Sequence, residues 1–350
     1  MIDPARATTD DAEGARRSRH GLRPIADQVV VVTGGSSGIG RETAIRFASA
    51  GAKVAILARD EDKLADTVEL ITDQGGTAHH VMCDVTDFEA VQRAVERVEN
   101  HYGRIDTWVG NAGALLYARL QDTTPDDLRA ILEVNVIGQV NGIRAALPAL
   151  RRAGGGALIC VSSVEAVATL PLHSAYAASK RAVEGALDGL RRELKAERTP
   201  VSVTVVRPAV IDTPIYRHAR TRMPWKPTAP RPYYHASVVA EAIIFAATHP
   251  VRTLHAGGGG RLLVLAQALA PAIVDAVLGR VGIRLMQSDV PAVPQPGNFG
   301  RPLGDARSGA LPRPGRPWSI YTWLRVHPAV RRSSIATALA AGLFFARLRR

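Results

Sequence analysis

Gln28-Val-Val-Val-Val-Thr33-Gly34-Gly-Ser36-Ser37-Gly38-Ile39-Gly40 runs from a β-branched segment through glycines into a helical stretch, Arg41 to Ala50. Four consecutive valines read as a buried parallel strand. Glycines at 34, 38 and 40 sit where that strand must turn sharply into the helix. Without side chains there, backbone can approach a pyrophosphate, and the helix N-terminus supplies N–H donors and the positive end of a dipole. The placement between strand and helix gives the turn its weight, because a glycine-rich stretch alone is weak.

The residues that follow complete and repeat the unit. Lys53–Ala58 is a second strand, followed by Arg59, Asp60 and a charged helix over Glu61–Asp73. In dinucleotide-binding folds an acid near this strand end holds the adenosine ribose, whereas a base accommodates a 2′-phosphate. Arg59 opens the loop, which leans the cofactor towards NADP(H) over NAD(H). Asp60 competes one step on, and a solvated loop charge is the plainer alternative for Arg59. A third strand ends at Asp84-Val85, where Asp84 serves either a ligand or, with Thr86-Asp87, the cap of the next helix.

A fourth strand from Ile105 closes on Gly110-Asn111-Ala112-Gly113, small residues beside which a cofactor fits close to backbone. From the cap Thr124-Pro125 an amphipathic helix runs towards Leu150, carrying the polar Asn135 and interrupted by Gly138. Ala157–Val161 is the fifth strand, with Ser162-Ser163 at its carboxyl end, the edge where open parallel sheets bind ligands. The helix Ala175–Leu194 then carries Tyr176-x-x-x-Lys180. Residues four apart share a helix face. A cation near a phenol favours phenolate and so lowers its pKa, making tyrosine a usable acid or base. A sixth strand, Val201–Val206, leads into a segment with Arg217, Arg220, Arg222, Lys226 and Arg231. Its place and length are those of a mobile substrate lid.

Charge and cysteine usage bound the remaining classes. The formal charge is +12, of which residues 301–350 carry +9, from ten Arg and one Asp. The excess therefore belongs to the tail: no nucleic-acid-binding signature accompanies it, and a membrane surface, an acidic partner or plain solvation accounts for it. Cys83 and Cys160 lie in strand-like apolar runs, which points to a reduced, cytoplasmic, metal-free protein. Met1–Pro24 lacks an apolar signal core and reads as a disordered extension.

In this order the motifs closely resemble the short-chain dehydrogenase/reductase family over residues 26–256. The resemblance rests on Thr33-Gly-x-x-x-Gly-Ile-Gly40, Asp84, Asn111-Ala-Gly113, Asn135, Ser163, Tyr176-x-x-x-Lys180, and Pro208 with Thr213. The spacing of the first two glycines is similar to the shorter reductase branch. The family implies an α/β, doubly wound Rossmann domain with a seven-stranded parallel sheet. It also implies hydride transfer between a substrate carbon and the nicotinamide; with Arg59 read as a base for a 2′-phosphate, the expected reaction links NADP(H) with a lipophilic ketone or alcohol, in a homodimer or homotetramer.

By resemblance, Ser163 binds the substrate oxygen, Tyr176 transfers the proton, and Lys180 holds the nicotinamide ribose. Asn135 holds a water linking Lys180 to solvent, Asp84 meets the adenine, and Asn111 meets the adenosine-side ribose. The implied cofactor-binding set is Gly34, Ser36, Ser37, Gly38, Ile39, Gly40, Arg59, Asp84, Val85, Asn111, Ala112, Gly113, Tyr176, Lys180, Pro208, Val210 and Thr213. Gly110 and Ala209 depart from the family's usual Asn and Gly. A scaffold that kept the fold and lost the chemistry is the alternative, against which the complete set Asn135, Ser163, Tyr176 and Lys180 argues.

The family pattern ends near residue 256, and almost a hundred residues follow. Leu262–Leu278 with Pro271 inside reads as two short helices over 257–290. The alternatives for them are packing against the main domain or a subunit partner, a wall for an apolar substrate, or a membrane-facing surface. Pro291–Pro317 reads as an extended or disordered linker. Ile335–Arg347, flanked by arginines, is too short to span a bilayer and suits either interfacial attachment at the inner membrane face or docking on protein.

Overall fold

β1 (Val29–Thr33) is buried along its whole length, which a strand covered on both faces requires. A computed structural model describes residues 22–292, 297–300 and 309–331, and puts β1 near the middle of a seven-stranded sheet. Its partners are β2 (Lys53–Ala58), β3 (Thr77–Met82), β4 (Thr107–Gly110), β5 (Gly156–Val161), β6 (Val201–Pro208) and β7 (Thr253–Ala256). The order is β7-β6-β5-β4-β1-β2-β3, and every pairing in it is parallel. The chain reverses direction between β3 and β4, and the edge beside that switch point is where open sheets bind ligands.

Helices cover both faces. On one side α1 (Gly38–Ser49) and a helix at Ala236–Thr248 pack on Val30, Val32, Ile56 and Ile159. On the other, helices at Phe88–Tyr102, Gly138–Arg152 and Ser174–Ala196 bury Val31, Leu57, Trp108 and Leu158. Alternate residues of one strand thus feed opposite cores, as the two-residue period demands. Two charged caps set the helix starts: Asp60 accepts from Lys63 N, and Asp87 accepts from Ala90 N at 2.9 Å. Capping therefore uses Asp60, the acid that competes with Arg59 in the sequence.

Gly138 does not break its helix. The segment runs from Pro125–Leu132 through a π-turn, Glu133–Ile137, into Gly138–Arg152. A Cβ at Gly138 would lie 2.7 Å from Val85 Cγ2, so the glycine permits close approach to the loop after β3. The family departures have similar reasons. A Cβ at Gly110 would collide with Gln139 Oε1, and Gln139 Nε2 donates to the Gly110 carbonyl at 3.0 Å. The Ala209 methyl faces Gly257 and Gly260, which lack the Cβ that would meet it.

The N- and C-terminal segments depart from the expectations of disorder where they are described. Leu22 is buried in the core and Arg23 pairs with Asp106, so order begins before Ile25. After β7, helices Gly258–Leu269 and Pro271–Leu285 meet at Pro271. The proline occupies a first-turn position, where its missing N–H costs nothing. Within Pro291–Pro317, several of the described residues bond to the α/β domain. Leu311 N and Gly315 N donate to the Asp212 carboxylate at 3.2 Å, and Arg316 N to the Tyr233 carbonyl at 2.9 Å. Residues 1–21 and the apolar Ile335–Arg347 lie outside the described residues.

Candidate active site

A cleft of about 230 Å³ opens along the carboxyl edge of the sheet. Its floor at one end is the β1–α1 turn. Gly34 and Gly38 take φ of 67° and 51°, a conformation that favours glycine. A Cβ at Gly40 would lie 2.2 Å from the Gly34 carbonyl oxygen, so only glycine lets α1 start this close to the strand. Ser37 makes no side-chain cap bond, so the first N–H groups of α1 are left for a ligand. An uncapped helix start behind bare backbone fits a pyrophosphate.

Asn111 braces this turn. Its Nδ2 donates to the Thr33 carbonyl at 3.0 Å, and its backbone N donates to Thr33 Oγ1 at 2.9 Å. The side chain expected at the ribose thus also ties β1 to β4 while lining the cleft. Of the expected cofactor set, Gly40, under the turn, and Val210 lie off the lining, as does the catalytic candidate Asn135. The Val210 carbonyl accepts from Tyr234 N, and Ile211 faces the cleft beside Thr213.

Where β2 and β3 end, Arg59 and Asp84 both line the cleft, 3.7 Å apart at Nη1 and Oδ2. Arg59 is not the solvated loop charge of the plainer alternative. Nη1 donates to the Phe299 carbonyl at 2.9 Å and Nη2 to the Asn298 carbonyl at 2.6 Å. Asn298 itself lines the cleft. Sequence reasoning missed it, because a Pro/Gly-rich stretch has no periodicity from which a docked residue can be read.

At the other end, Ser163, Tyr176 and Lys180 converge. Lys180 Nζ donates to the Val161 carbonyl at 3.1 Å and stands 5.7 Å from the centroid of the Tyr176 ring. The expectation that this cation lowers the phenol pKa needs correcting for the protein alone. Burial raises the Tyr176 pKa and the Glu165 carboxylate adds to the rise, while a hydrogen bond with Ser163 opposes it. Burial brings Lys180 down to about 8. Desolvation is the largest cause of both shifts.

Asn135 is fully buried in the π-turn, a feature common at functional sites. Its Oδ1 accepts from Ala114 N at 2.7 Å, and its Nδ2 donates to the Ala114 carbonyl and to Ser179 Oγ, each at 3.0 Å. Both amide hydrogens are used, so a water held by Asn135 would have to meet its main chain or the second lone pair of Oδ1. Glu165 and His173 also escaped the sequence reading. Both are buried, His173 Nδ1 lies 2.9 Å from Glu165 Oε2, and the His173 ring meets Tyr176 edge-on at 5.7 Å. Their signal was a Glu two residues after Ser163 and a His three before Tyr176.

The segment expected to act as a mobile lid is stapled down. Arg220 Nη1 and Arg222 Nε reach the buried Asp127 carboxylate at 2.7 and 2.8 Å.

Residues 28–224 match the family model described as short chain dehydrogenase. "Uncharacterized oxidoreductase YxnA" of Bacillus subtilis is 34% identical over 98% of this chain and 97% of its own length. "Probable oxidoreductase EphD" of Mycobacterium tuberculosis is 42% identical over 215 residues, 59% of this chain but only 36% of that protein. Among solved structures, an alcohol dehydrogenase from the archaeon Thermococcus sibiricus, complexed with 5-hydroxy-NADP, superposes with a TM-score of 0.57 at 26% identity. That match covers 65% of this chain and 95% of the other.

Proposed function

The chain belongs to the short-chain dehydrogenase family and is an oxidoreductase, and from that premise we propose that it moves hydride between NADP(H) and a lipophilic ketone or alcohol, with Tyr176 as the proton-transferring residue. The observation that carries this reading is the convergence of Ser163, Tyr176 and Lys180 in one cleft with the uncapped N-terminus of α1. The nicotinamide, when bound, supplies or accepts the hydride.

In reduction, Ser163 Oγ and the Tyr176 hydroxyl hold the carbonyl oxygen, and the phenol gives up its proton as that oxygen gains negative charge. Lys180, charged below its pKa of about 8, stabilises the phenolate left behind. In oxidation the same phenolate takes the alcohol proton. For the cofactor, Arg59 at the adenosine end supports NADP(H), because a guanidinium in that position suits a 2′-phosphate. The test is turnover of NADPH with a panel of ketones. Tyr176→Phe is expected to lower kcat by about 10²-fold or more while nucleotide still binds, and equal turnover by that variant would remove Tyr176 from the chemistry.

We also infer a peripheral membrane contact. Ile273, Val277 and Val281 recur every four residues along the helix Pro271–Leu285 and are exposed, with Arg280 and Arg284 on the same helix. Apolar residues beside arginines suit the interface of an anionic bilayer. Among the described residues, no helix is long and apolar enough to cross a membrane. Flotation with phosphatidylserine vesicles is the expected outcome, and a homodimer that stays in the aqueous phase and buries this face would refute it.

A further inference from the structure

We propose that Gly297–Phe299 of the C-terminal extension is a working part of the nucleotide cleft. Asn298 contacts the adenosine half of the cofactor, and the backbone of Asn298 and Phe299 holds Arg59 ready for the 2′-phosphate. The inference rests on the oxidoreductase reading above and extends it to residues outside the family pattern, which ends with β7.

Four observations place the segment there. Phe299 is 8% exposed and packs among Ala114, Ile131, Val134 and Ala175, with Tyr176 against the same cluster. Its ring also lies under the Arg220 guanidinium, 4.7 Å from ring centroid to carbon. Asn298 N donates to the His218 carbonyl at 3.1 Å, so the segment is bonded to the loop after β6 as well. A Cβ at Gly297 would lie 2.8 Å from the Arg220 backbone nitrogen, and its φ of 69° favours glycine. The segment therefore has a built seat, with an aromatic anchor on one side of the cleft and Arg59 on the other.

Two features give this seat a purpose beyond packing. Asn298 Oδ1 is buried with no hydrogen-bond partner, on a residue that lines the cleft. A buried acceptor is ordinarily paired, and a ligand donor such as a nucleobase amino group or a ribose hydroxyl would supply the partner this one lacks. Arg59 is the second feature. A guanidinium carries five N–H donors in a fixed plane. The two carbonyls use one on each terminal nitrogen, which fixes the plane and leaves the Nε–H and one N–H on each terminal nitrogen for an anion. Orienting the fork beforehand removes part of the ordering cost of binding.

With the segment seated, the cleft holds about 230 Å³, below the roughly 300–1,000 Å³ typical of ligand pockets. The same segment could instead exclude nucleotide as a plug, and the two roles have opposite signs in a binding experiment.

The experiment measures Kd and dissociation rate for NADPH and for NADH by fluorescence on the full chain, for wild type, Asn298→Ala and Phe299→Ala. Thermal unfolding confirms that each variant is folded. Loss of one hydrogen bond predicts that Asn298→Ala weakens both nucleotides by about three- to tenfold, through faster dissociation. Phe299→Ala, which frees the anchor and lets Arg59 wander, should weaken NADPH about tenfold and NADH clearly less. A merely structural segment would not change the ratio between the two cofactors. Unchanged affinities in folded variants would overturn the proposal, and tighter binding would also do so by making the segment a plug. If wild type binds neither nucleotide, the hydride-transfer reading falls first and this one with it.

Discussion

Lys180 Nζ is bonded to the Val161 carbonyl at 3.1 Å while standing 5.7 Å from the centre of the Tyr176 ring. The carbonyl steadies the ammonium, but burial pulls its pKa down to about 8 and pushes that of Tyr176 up. In the free enzyme the phenol therefore keeps its proton throughout the neutral range, and the group that titrates is the lysine. Below about pH 8 the ammonium can support a departing proton on Tyr176; above it that support is lost. Reductive kcat/KM, which reports the free enzyme, should be flat up to about pH 8 and then fall roughly tenfold per unit. A profile flat to pH 10 would remove Lys180 from this role.

Among the described residues, Arg59 and Lys63 are the bases that line the cleft beside Asp84, and the Lys63 ammonium is bonded to the Asp60 carboxylate. Replacing Arg59 by Ala removes the donors for a 2′-phosphate and leaves the Asp84 carboxylate to repel it. NADPH is expected to weaken by about tenfold or more, with NADH changed much less. Titration of both cofactors into the variant checks this, and equal losses would refute the phosphate role.

Gly40 and Gly279 make a matched pair of glycine tests. An added Cβ at Gly40 overlaps the Gly34 carbonyl oxygen, whereas at Gly279 it meets nothing within 4 Å. Gly40→Ala must push α1 away from β1, with a cost of about 1–3 kcal/mol and a distorted phosphate cradle. Gly279→Ala, on the helix Pro271–Leu285, should stabilise by about 0.5–1 kcal/mol through reduced backbone freedom of the unfolded chain. Denaturant midpoints give the stabilities, and nucleotide titration should show the loss only in Gly40→Ala.

Residues governed by local rules were legible in the sequence. Val29–Thr33 had to be a covered strand, and glycines 34, 38 and 40 had to mark a turn into a helix, because one residue type meets both demands. Ser163 and Tyr176 were placed by a strand end and by a helical spacing. What stayed hidden depends on distant partners. Nothing near Asn135 announces that its side chain will be consumed by Ala114 and Ser179. Phe299 is a single aromatic in a run of Pro and Gly, and its seat among Ala114, Val134 and Ala175 exists only after folding. The glycine run 257–260 was also opaque, since the reason for Gly257 and Gly260 is the methyl of Ala209, about fifty residues earlier. The sign of the Tyr176 shift was misjudged because pairing was visible and burial was not.

Asp127 carries the last prediction. It begins as part of a local device, the capping box with Thr124 at the start of the helix Pro125–Leu132. The same carboxylate, with no exposed side-chain surface, also receives Arg220 and Arg222 from the loop after β6. Burial works against its charge, but the bonds from the two arginines and Thr124 outweigh it and hold the pKa at about 2, against an ordinary 3.8. A depressed carboxylate stabilises the fold above its unfolded pKa, and that stabilisation is lost as pH falls through about 2. Asp127→Asn should therefore lower stability at neutral pH by about 1–3 kcal/mol, less than a fully buried pair because both arginines are partly exposed. The gap between variant and wild type should narrow as pH falls from 4 towards 2. Because Arg220 also covers Phe299, the variant should loosen the seat of the extension and speed NADPH release. Urea titrations at pH 7 and pH 3 with stopped-flow release give both readouts, and a stability gap that widens on acidification would contradict the assignment.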